Sequence, residues 1–186
     1  MKLTDRKKEP YKVGVLSVVK HDYLPRAIAA HPRFNLSFVS DEISRPEWTH
    51  ERNQKFADEF EIPYIKDISA AIKDNQIDAV AVSPEAERHC ELAIIAAEAG
   101  LHIVVDKPLS TNTHQCDKLI EAVNKNGVSC LVWNRNYLPA LIQANQKVNS
   151  GELGQLLSVH CDFYFSKDAG PPIGSRKAND PPIEWL

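Results

Sequence analysis

Between Lys12 and Trp133 the chain alternates short apolar runs rich in β-branched residues with segments of helical period, and this alternation constrains the fold more than any other feature. The runs are Lys12–Val19, Phe34–Ser40, Ala79–Ser83, His102–Val105 and Val128–Trp133. Most are almost continuously apolar, as expected of strands buried on both faces of a parallel sheet. In Thr113–Asn126, Cys116, Leu119, Ile120 and Val123 fall at i, i+3, i+4 and i+7, one face of a helix. Thr113 is expected to cap that helix, and Gly127 to supply the left-handed residue beyond it. Arg88–Ala99, followed by Gly100, predicts a second helix, and Pro46 a first helical position ahead of the stripe Phe56, Ala57 and Phe60. A short strand near Pro63–Ile65 and a short helix at Ile68–Lys73 complete the series. Strand–helix–strand units repeated in this way predict right-handed crossovers, hence an α/β fold with a doubly wound parallel sheet.

The remainder differs in character. Leu141–Val148 predicts a helix. Leu156–Ser166 alternates Leu157, Val159, Cys161, Phe163 and Phe165 with mostly polar residues, the pattern of a strand solvated on one side. A lone strand of this kind leaves its apolar face and backbone unmatched, so a truncated α+β segment is expected here. The tail from Lys167 holds four of the twelve prolines and reads as irregular. The expected division is residues 1–137 as one domain and 138–186 as the incomplete start of another.

Composition excludes several partners. At 43% hydrophobic and 25% charged, the chain has the balance of a globular protein with a core. A net charge of −3 and a pI near 6.2 argue against nucleic acid and anionic membranes. Met1–Lys12 lacks the apolar core of a signal peptide, and the best apolar stretch, Leu92–Leu101, is short and broken by Glu98 and Gly100. Cys90, Cys116, Cys130 and Cys161 are far apart and form no CxxC pair, so reduced thiols, no metal site and a cytoplasmic location are expected.

Ligands of open parallel sheets sit beyond the carboxyl ends of the strands, near the reversal of strand order. The residues that follow the apolar runs are Ser17–Asp22, Asp41–Glu42, Ser83–His89, Asp106–Lys107–Pro108 and Asn134–Arg135. All of these strand ends carry polar or ionisable groups.

Several of these segments together resemble the N-terminal half of the Gfo/Idh/MocA family of nicotinamide-dependent oxidoreductases. Ile77–Pro84, His89 and Cys90–Gly100 are similar to that family's fourth strand and helix. His102–Pro108 is similar to its Glu-Lys-Pro signature, with Asp106 in place of glutamate. Asn134–Arg135 with Pro139, and Ser150–Gly154, resemble the approach to its second domain. The resemblance spans about Lys12 to Phe165 and implies a Rossmann-like first domain, a cofactor of the NAD or NADP type, and a small-molecule substrate with a sugar-like or polyol hydroxyl.

On this resemblance Lys107 is the expected catalytic residue, orienting the substrate hydroxyl and helping to move its proton, while its alternative is a surface lysine ahead of a turn proline. Asp41, closing the second strand, can accept ribose hydroxyls and repel a 2′-phosphate, or serve as a capping aspartate; NAD is favoured, although Arg45 nearby would suit NADP. His89, after Ser83–Pro84, is expected at the cofactor or its pocket wall, with packing against the first helical turn as the alternative. Asp106 is expected to contact the cofactor beside Lys107. Asn134 and Arg135 are candidates for the nicotinamide or an anionic substrate group, or for a salt bridge to the second domain.

The chain departs from the pattern in two places. Dinucleotide folds usually open with G-x-G-x-x-G, because side chains there separate the pyrophosphate from the backbone. Here Ser17, Val19 and Asp22 take the glycine positions, with Val18 between the first two, and Gly14 lies inside the strand. Val19 is expected to resist a positive φ and to fill the phosphate space, with Lys20 and His21 offering charge in compensation. The second departure is the missing helix that carries an aspartate and a histidine in the family's substrate domain; His160 and Asp162 are expected to be solvated or interfacial. An oxidoreductase, or its cofactor-binding portion, is therefore the first reading. A non-catalytic sensor on the same fold is the alternative, and a homo-oligomer through 156–166 a further expectation.

Overall fold

In the computed structural model of the protein, residues 9–19, 21–134 and 138–162 are described. The elements are β1 (Tyr11–Val18), α1 (Tyr23–Ala29), β2 (Phe34–Ser40), α2 (Glu47–Glu59), β3 (Tyr64–Ile65), α3 (Ile68–Asp74), β4 (Ala79–Ser83), a 3-10 turn (Ala86–Arg88), α4 (His89–Glu98), β5 (His102–Val105), α5 (Thr113–Asn126), β6 (Cys130–Val132) and α6 (Pro139–Asn149). The six strands form one sheet in the order β3-β2-β1-β4-β5-β6, and every pairing is parallel. The doubly wound α/β fold expected from the alternation is what forms.

Side chains of consecutive β1 residues point to opposite faces. Leu16 joins Phe38, Val80 and Val82 in a core closed by Leu92, Ala93, Ala96 and Ala97 of α4 and Leu119 of α5. Val15 and Val39 face the other way, onto Phe56 and Ala57 of α2. Small residues on α4 let it lie close to the sheet, which explains why an alanine-rich segment sits at the centre rather than the surface.

Helix starts differ in detail from the sequence expectation. Asn112, not Thr113, caps α5, its Oδ1 accepting from the His114 amide at 2.8 Å; a residue with extended backbone just outside the helix reaches an unpaired amide better than the first helical residue does. Gly127 ends that helix at φ 64°, as expected. Pro46 sits just before α2 with φ −58° and ψ 150°, one place earlier than predicted. Helix α1, with Pro25 buried at its third position, has no counterpart in the sequence expectation.

The described residues through Trp133 belong to one compact unit, and those from Asn134 to a second. In the second, Pro139 opens α6 and Gly151 turns the chain out of it at φ 76°. The strand expected over Leu156–Ser166 does not form in its described part: 156–162 make no ladder, and Leu157 and Val159 are 87% and 76% exposed. Among the described residues no neighbouring strand supplies the backbone partners that such a segment needs. Residues 163–166 and the proline-rich tail lie outside the described residues. His160 and Asp162 pair with each other at 3.0 Å in solvent. All four cysteines are free thiols, and burial pushes Cys90 up to about 11. No described helix is long and apolar enough to cross a membrane, and the described residues contain no metal-binding cluster.

Gly14 is required by close packing. A Cβ there would stand 2.5 Å from Cζ and 2.9 Å from Cε2 of Phe38, a ring with no solvent-exposed surface to swing into. Gly14→Ala should therefore destabilise the chain by about 1–3 kcal/mol, read from the midpoint of urea unfolding. An unchanged midpoint would show that the Phe38 ring is free to move.

Candidate active site at the switch point of the sheet

Strand β1 has β2 on one side and β4 on the other, so the crossovers leaving it diverge and open a crevice beyond its carboxyl end. The chain leaves β1 through Ser17, which adopts φ 61° and shifts the register against β4 so that Val18 pairs with Ser83. This corrects one expectation: the left-handed residue is Ser17, whose short side chain tolerates it better than the β-branched Val19 would. Val19 is instead buried in ordinary backbone geometry. The Val18 amide donates to Asn53 Oδ1 at 2.6 Å and the Val19 amide to the Ser83 carbonyl at 3.2 Å. Arg52 donates to the Val19 carbonyl, and Ser83 Oγ donates to the His21 carbonyl at 3.1 Å. Lys20 is outside the described residues.

Asp41 ends β2 as anticipated, but its carboxylate is fully buried. Oδ1 accepts from Arg88 at 2.6 Å and from the Glu42 amide at 2.8 Å; Oδ2 accepts from Asn53 Nδ2 at 3.1 Å. Arg88 also reaches Glu85 at 3.2 Å, and Glu85 holds Arg45 at 2.6 Å. Burial works against the Arg88 charge, but hydrogen bonding and attraction to Asp41 and Glu85 outweigh it and hold the guanidinium above its ordinary pKa. The carboxylate is fully buried and ion-paired to Arg88, so a ribose hydroxyl would reach it only after a group covering it moves.

Asp106, just past β5, has a side chain only 3% exposed. Its Oδ2 lies 2.7 Å from His21 Nδ1, and its Oδ1 accepts from Tyr23 Oη at 2.5 Å and from the Lys107 amide at 2.8 Å. Burial alone would raise its pKa; hydrogen bonds from His21, Tyr23 and Lys107 prevail and hold it below the usual value. Lys107 projects an exposed side chain from this anchored backbone, with a cis peptide bond to Pro108. His89 is 2% exposed, its Nδ1 2.5 Å from the Pro108 carbonyl and its Nε2 3.2 Å from the Pro84 carbonyl. It ties the β4 turn to the Lys107–Pro108 turn, which is the packing alternative for this histidine.

Ser17, Val18, Val19, Ser83, Pro84, Asp106 and Lys107 are thus gathered at the ends of β1, β4 and β5, with Asp41 at the neighbouring end of β2. Asn134 belongs to the second unit, and Arg135 is outside the described residues. Sequence reasoning did not single out Asn53, Arg88 or Tyr23. Asn53 had a visible signal, a polar residue three positions before Phe56 on the buried stripe of α2. Arg88 and Tyr23 had none, because their partners are distant in the chain.

A doubly wound sheet in this strand order, with ionisable groups converging at its switch point, defines an α/β protein of the dinucleotide-binding architecture. Residues 13–133 match the family described as "Oxidoreductase family, NAD-binding Rossmann fold", and the chain belongs to this Gfo/Idh/MocA family. It is 32% identical over 95 residues to inositol 2-dehydrogenase of Salmonella typhimurium, a match covering 50% of this chain and 28% of that protein. It is 33% identical over 104 residues to scyllo-inositol 2-dehydrogenase (NAD(+)) of Bacillus subtilis, covering 54% and 29%. A putative dehydrogenase from Bordetella bronchiseptica superposes with a TM-score of 0.69 at 26% identity over 78% of this chain and 38% of that one. The matched stretch is therefore under a third of the length of these curated relatives.

A nicotinamide dinucleotide fits this site where β1, β4 and β5 end. Ser17 Oγ is buried there with no partner among the described residues, and the Lys107 side chain is open to a ligand. The diphosphate would not meet a glycine cradle, since the Val18 and Val19 amides are already bonded and Asp22 stands before α1.

Arg88→Met should destabilise the chain by about 3–5 kcal/mol by leaving Asp41 charged and unpaired, with the double variant Asp41→Asn/Arg88→Met recovering much of the loss in urea melts. If both variants were equally unstable, shape rather than charge pairing would govern this cluster. Because the folded-state pKa of Asp106 is depressed, its contribution to stability is present above the unfolded value of about 3.9 and is lost as pH falls through the lower folded one. The stability difference between the wild type and Asp106→Asn should accordingly shrink on acidification below that value. A constant difference down to pH 2 would refute the assignment.

Proposed function

We propose that this chain is the cofactor-binding portion of an NAD-dependent oxidoreductase that moves hydride between the cofactor and a hydroxyl of a polyol or sugar-like substrate. The observation that carries the reading is Lys107, exposed at the switch point on a backbone fixed by the buried Asp106 carboxylate. When bound, the nicotinamide supplies the hydride acceptor or donor. Lys107 orients the substrate hydroxyl, and the rigid Asp106 and His89 contacts on either side of the Lys107–Pro108 turn set where its ammonium can reach. Ser17, Val18, Val19, Ser83 and Pro84 wall the cofactor, Asp41 acts through Arg88, and Asn134 and Arg135 are candidates on the family resemblance alone.

NAD is preferred to NADP on this reading because Arg45, the cation beyond β2 suited to a 2′-phosphate, is held by Glu85 at 2.6 Å. The substrate class is supported by the inositol dehydrogenases among the relatives. None of the relatives described above favours the alternative of a non-catalytic sensor. A cytoplasmic location is supported by the free thiols, and self-association through 156–166 by its exposed Leu157 and Val159.

Thermal unfolding with and without cofactor tests the reading. NADH at a hundred times its dissociation constant should add about 2.7 kcal/mol, several degrees for a domain of this size, with NADPH adding less at equal concentration. A cooperative melt that neither cofactor moves would overturn it.

A further inference from the structure

The turn that follows β4 reaches the loop that follows β2, and one carboxylate makes the connection. We infer that Glu85 sets the choice between NADH and NADPH by holding Arg45 away from a 2′-phosphate; this rests on the oxidoreductase reading and names the specificity of the same site. In doubly wound folds the 2′ position of the adenosine ribose is read beyond the second strand, where an acid favours the hydroxyl and an arginine the phosphate. This chain carries both there, Asp41 and Arg45, so the end of β2 alone does not decide between the two cofactors. The deciding group comes from another strand end.

Glu85 is 7% exposed, and both of its oxygens are engaged. Oε1 accepts from Arg45 Nη2 at 2.6 Å and Oε2 from Arg88 Nη1 at 3.2 Å, while Arg88 gives its Nη2 to Asp41 at 2.6 Å. The row Arg45–Glu85–Arg88–Asp41 therefore holds two positive and two negative charges, which cancel. A 2′-phosphate brings roughly two more negative charges, and both arginines of the row are already committed to carboxylates. Arginine grips phosphate best with two parallel donors. Nε and Nη2 of Arg45 form one such pair, but Glu85 takes Nη2, and Nε is buried with no hydrogen-bond partner among the described residues. Half of a two-pronged edge is spent on Glu85 and the other half stands unused.

The backbone under Arg45 is fixed without Glu85. The Arg45 amide donates to the Glu42 carbonyl at 3.1 Å. His50 of α2 donates from Nε2 to the Ile43 carbonyl at 3.3 Å and accepts the Tyr64 hydroxyl on Nδ1 at 2.6 Å. Removing the Glu85 charge thus releases a side chain and not the loop, and Arg88 keeps its bond to Asp41. The Arg45 side chain, 29% exposed, is then able to turn Nε and Nη2 together toward an anion.

A purely structural role for Glu85 would weaken both cofactors alike, so the test reads their ratio. Dissociation constants for NADH and NADPH, which differ only by the 2′-phosphate, are measured by titration calorimetry on the full chain. The wild type should bind NADH the more tightly. Glu85→Gln, which keeps the shape and removes the charge, should shift the preference toward NADPH by roughly tenfold or more, the worth of one hydrogen bond to a charged group. Glu85→Met, which offers Arg45 no acceptor oxygen, should shift it in the same direction. Adding Arg45→Met to either variant should take the gain away. A wild type that prefers NADPH, an unchanged ratio in the folded variants, a gain that survives Arg45→Met, or loss of cooperative folding in both Glu85 variants would each overturn the proposal. Absence of NADH binding by the wild type would instead reject the oxidoreductase reading and this inference with it, whereas NADH binding with an unchanged ratio rejects this inference alone.

Discussion

One side chain, Asn53, joins the two strand ends on which the site is built. Its Oδ1 takes the Val18 amide and its Nδ2 gives a bond to Asp41, so a single buried amide fixes β1 and β2 relative to each other. Asp41 then draws in Arg88 from the turn after β4, and Arg88 draws in Glu85. None of these groups would be tolerable inside alone, because an unpaired buried charge costs several kcal/mol. Together they satisfy one another, and the cluster behaves as a unit whose members hold three strand ends in place. The left-handed Ser17 is the local consequence: with Val18 held on Asn53 and paired to Ser83, the chain has to turn sharply between Leu16 and Val18.

The sheet was legible in the sequence because each strand is a compact apolar run and each long helix a repeated stripe. Three strands, Phe34–Ser40, Ala79–Ser83 and His102–Val105, have the predicted bounds, as does the helix Thr113–Asn126. What escaped was short or depended on partners. Helix α1 carries Pro25 at its third position, a residue that reads as a break in the sequence, and the Asn112 cap was masked by an equally suitable Thr113. The segment 156–162 shows the reverse: its alternation is clear, but a strand is a property of a pair, and no described neighbour completes it.

The site was legible where residue type alone carries the chemistry, as at Lys107 and Asp106, and obscure where position is set by contacts far apart in the chain. The ion pair of Asp41 with Arg88 spans 47 residues and the hydrogen-bonded contact of His21 with Asp106 spans 85. The ribose alternative for Asp41 and the phosphate-space expectation for Val19 both start from the usual role of a strand end. In this chain the neighbouring side chains have already engaged those groups, and the contacts rather than the motif decide what each can do.

The β1–α1 loop and the acid at 106 are joined by direct contact through His21. The Val18 and Val19 amides and the Ser83 hydroxyl hold the loop, and so aim His21 at β5. A glutamate at 106, longer by one methylene, would carry its carboxylate past the Lys107 amide and crowd the rings of His21 and Tyr23, which already lie within hydrogen-bonding distance of the shorter side chain. Bonded on one oxygen by its own neighbour's amide and on the other by an imidazole, the Asp106 carboxylate ties the β1–α1 loop to the end of β5.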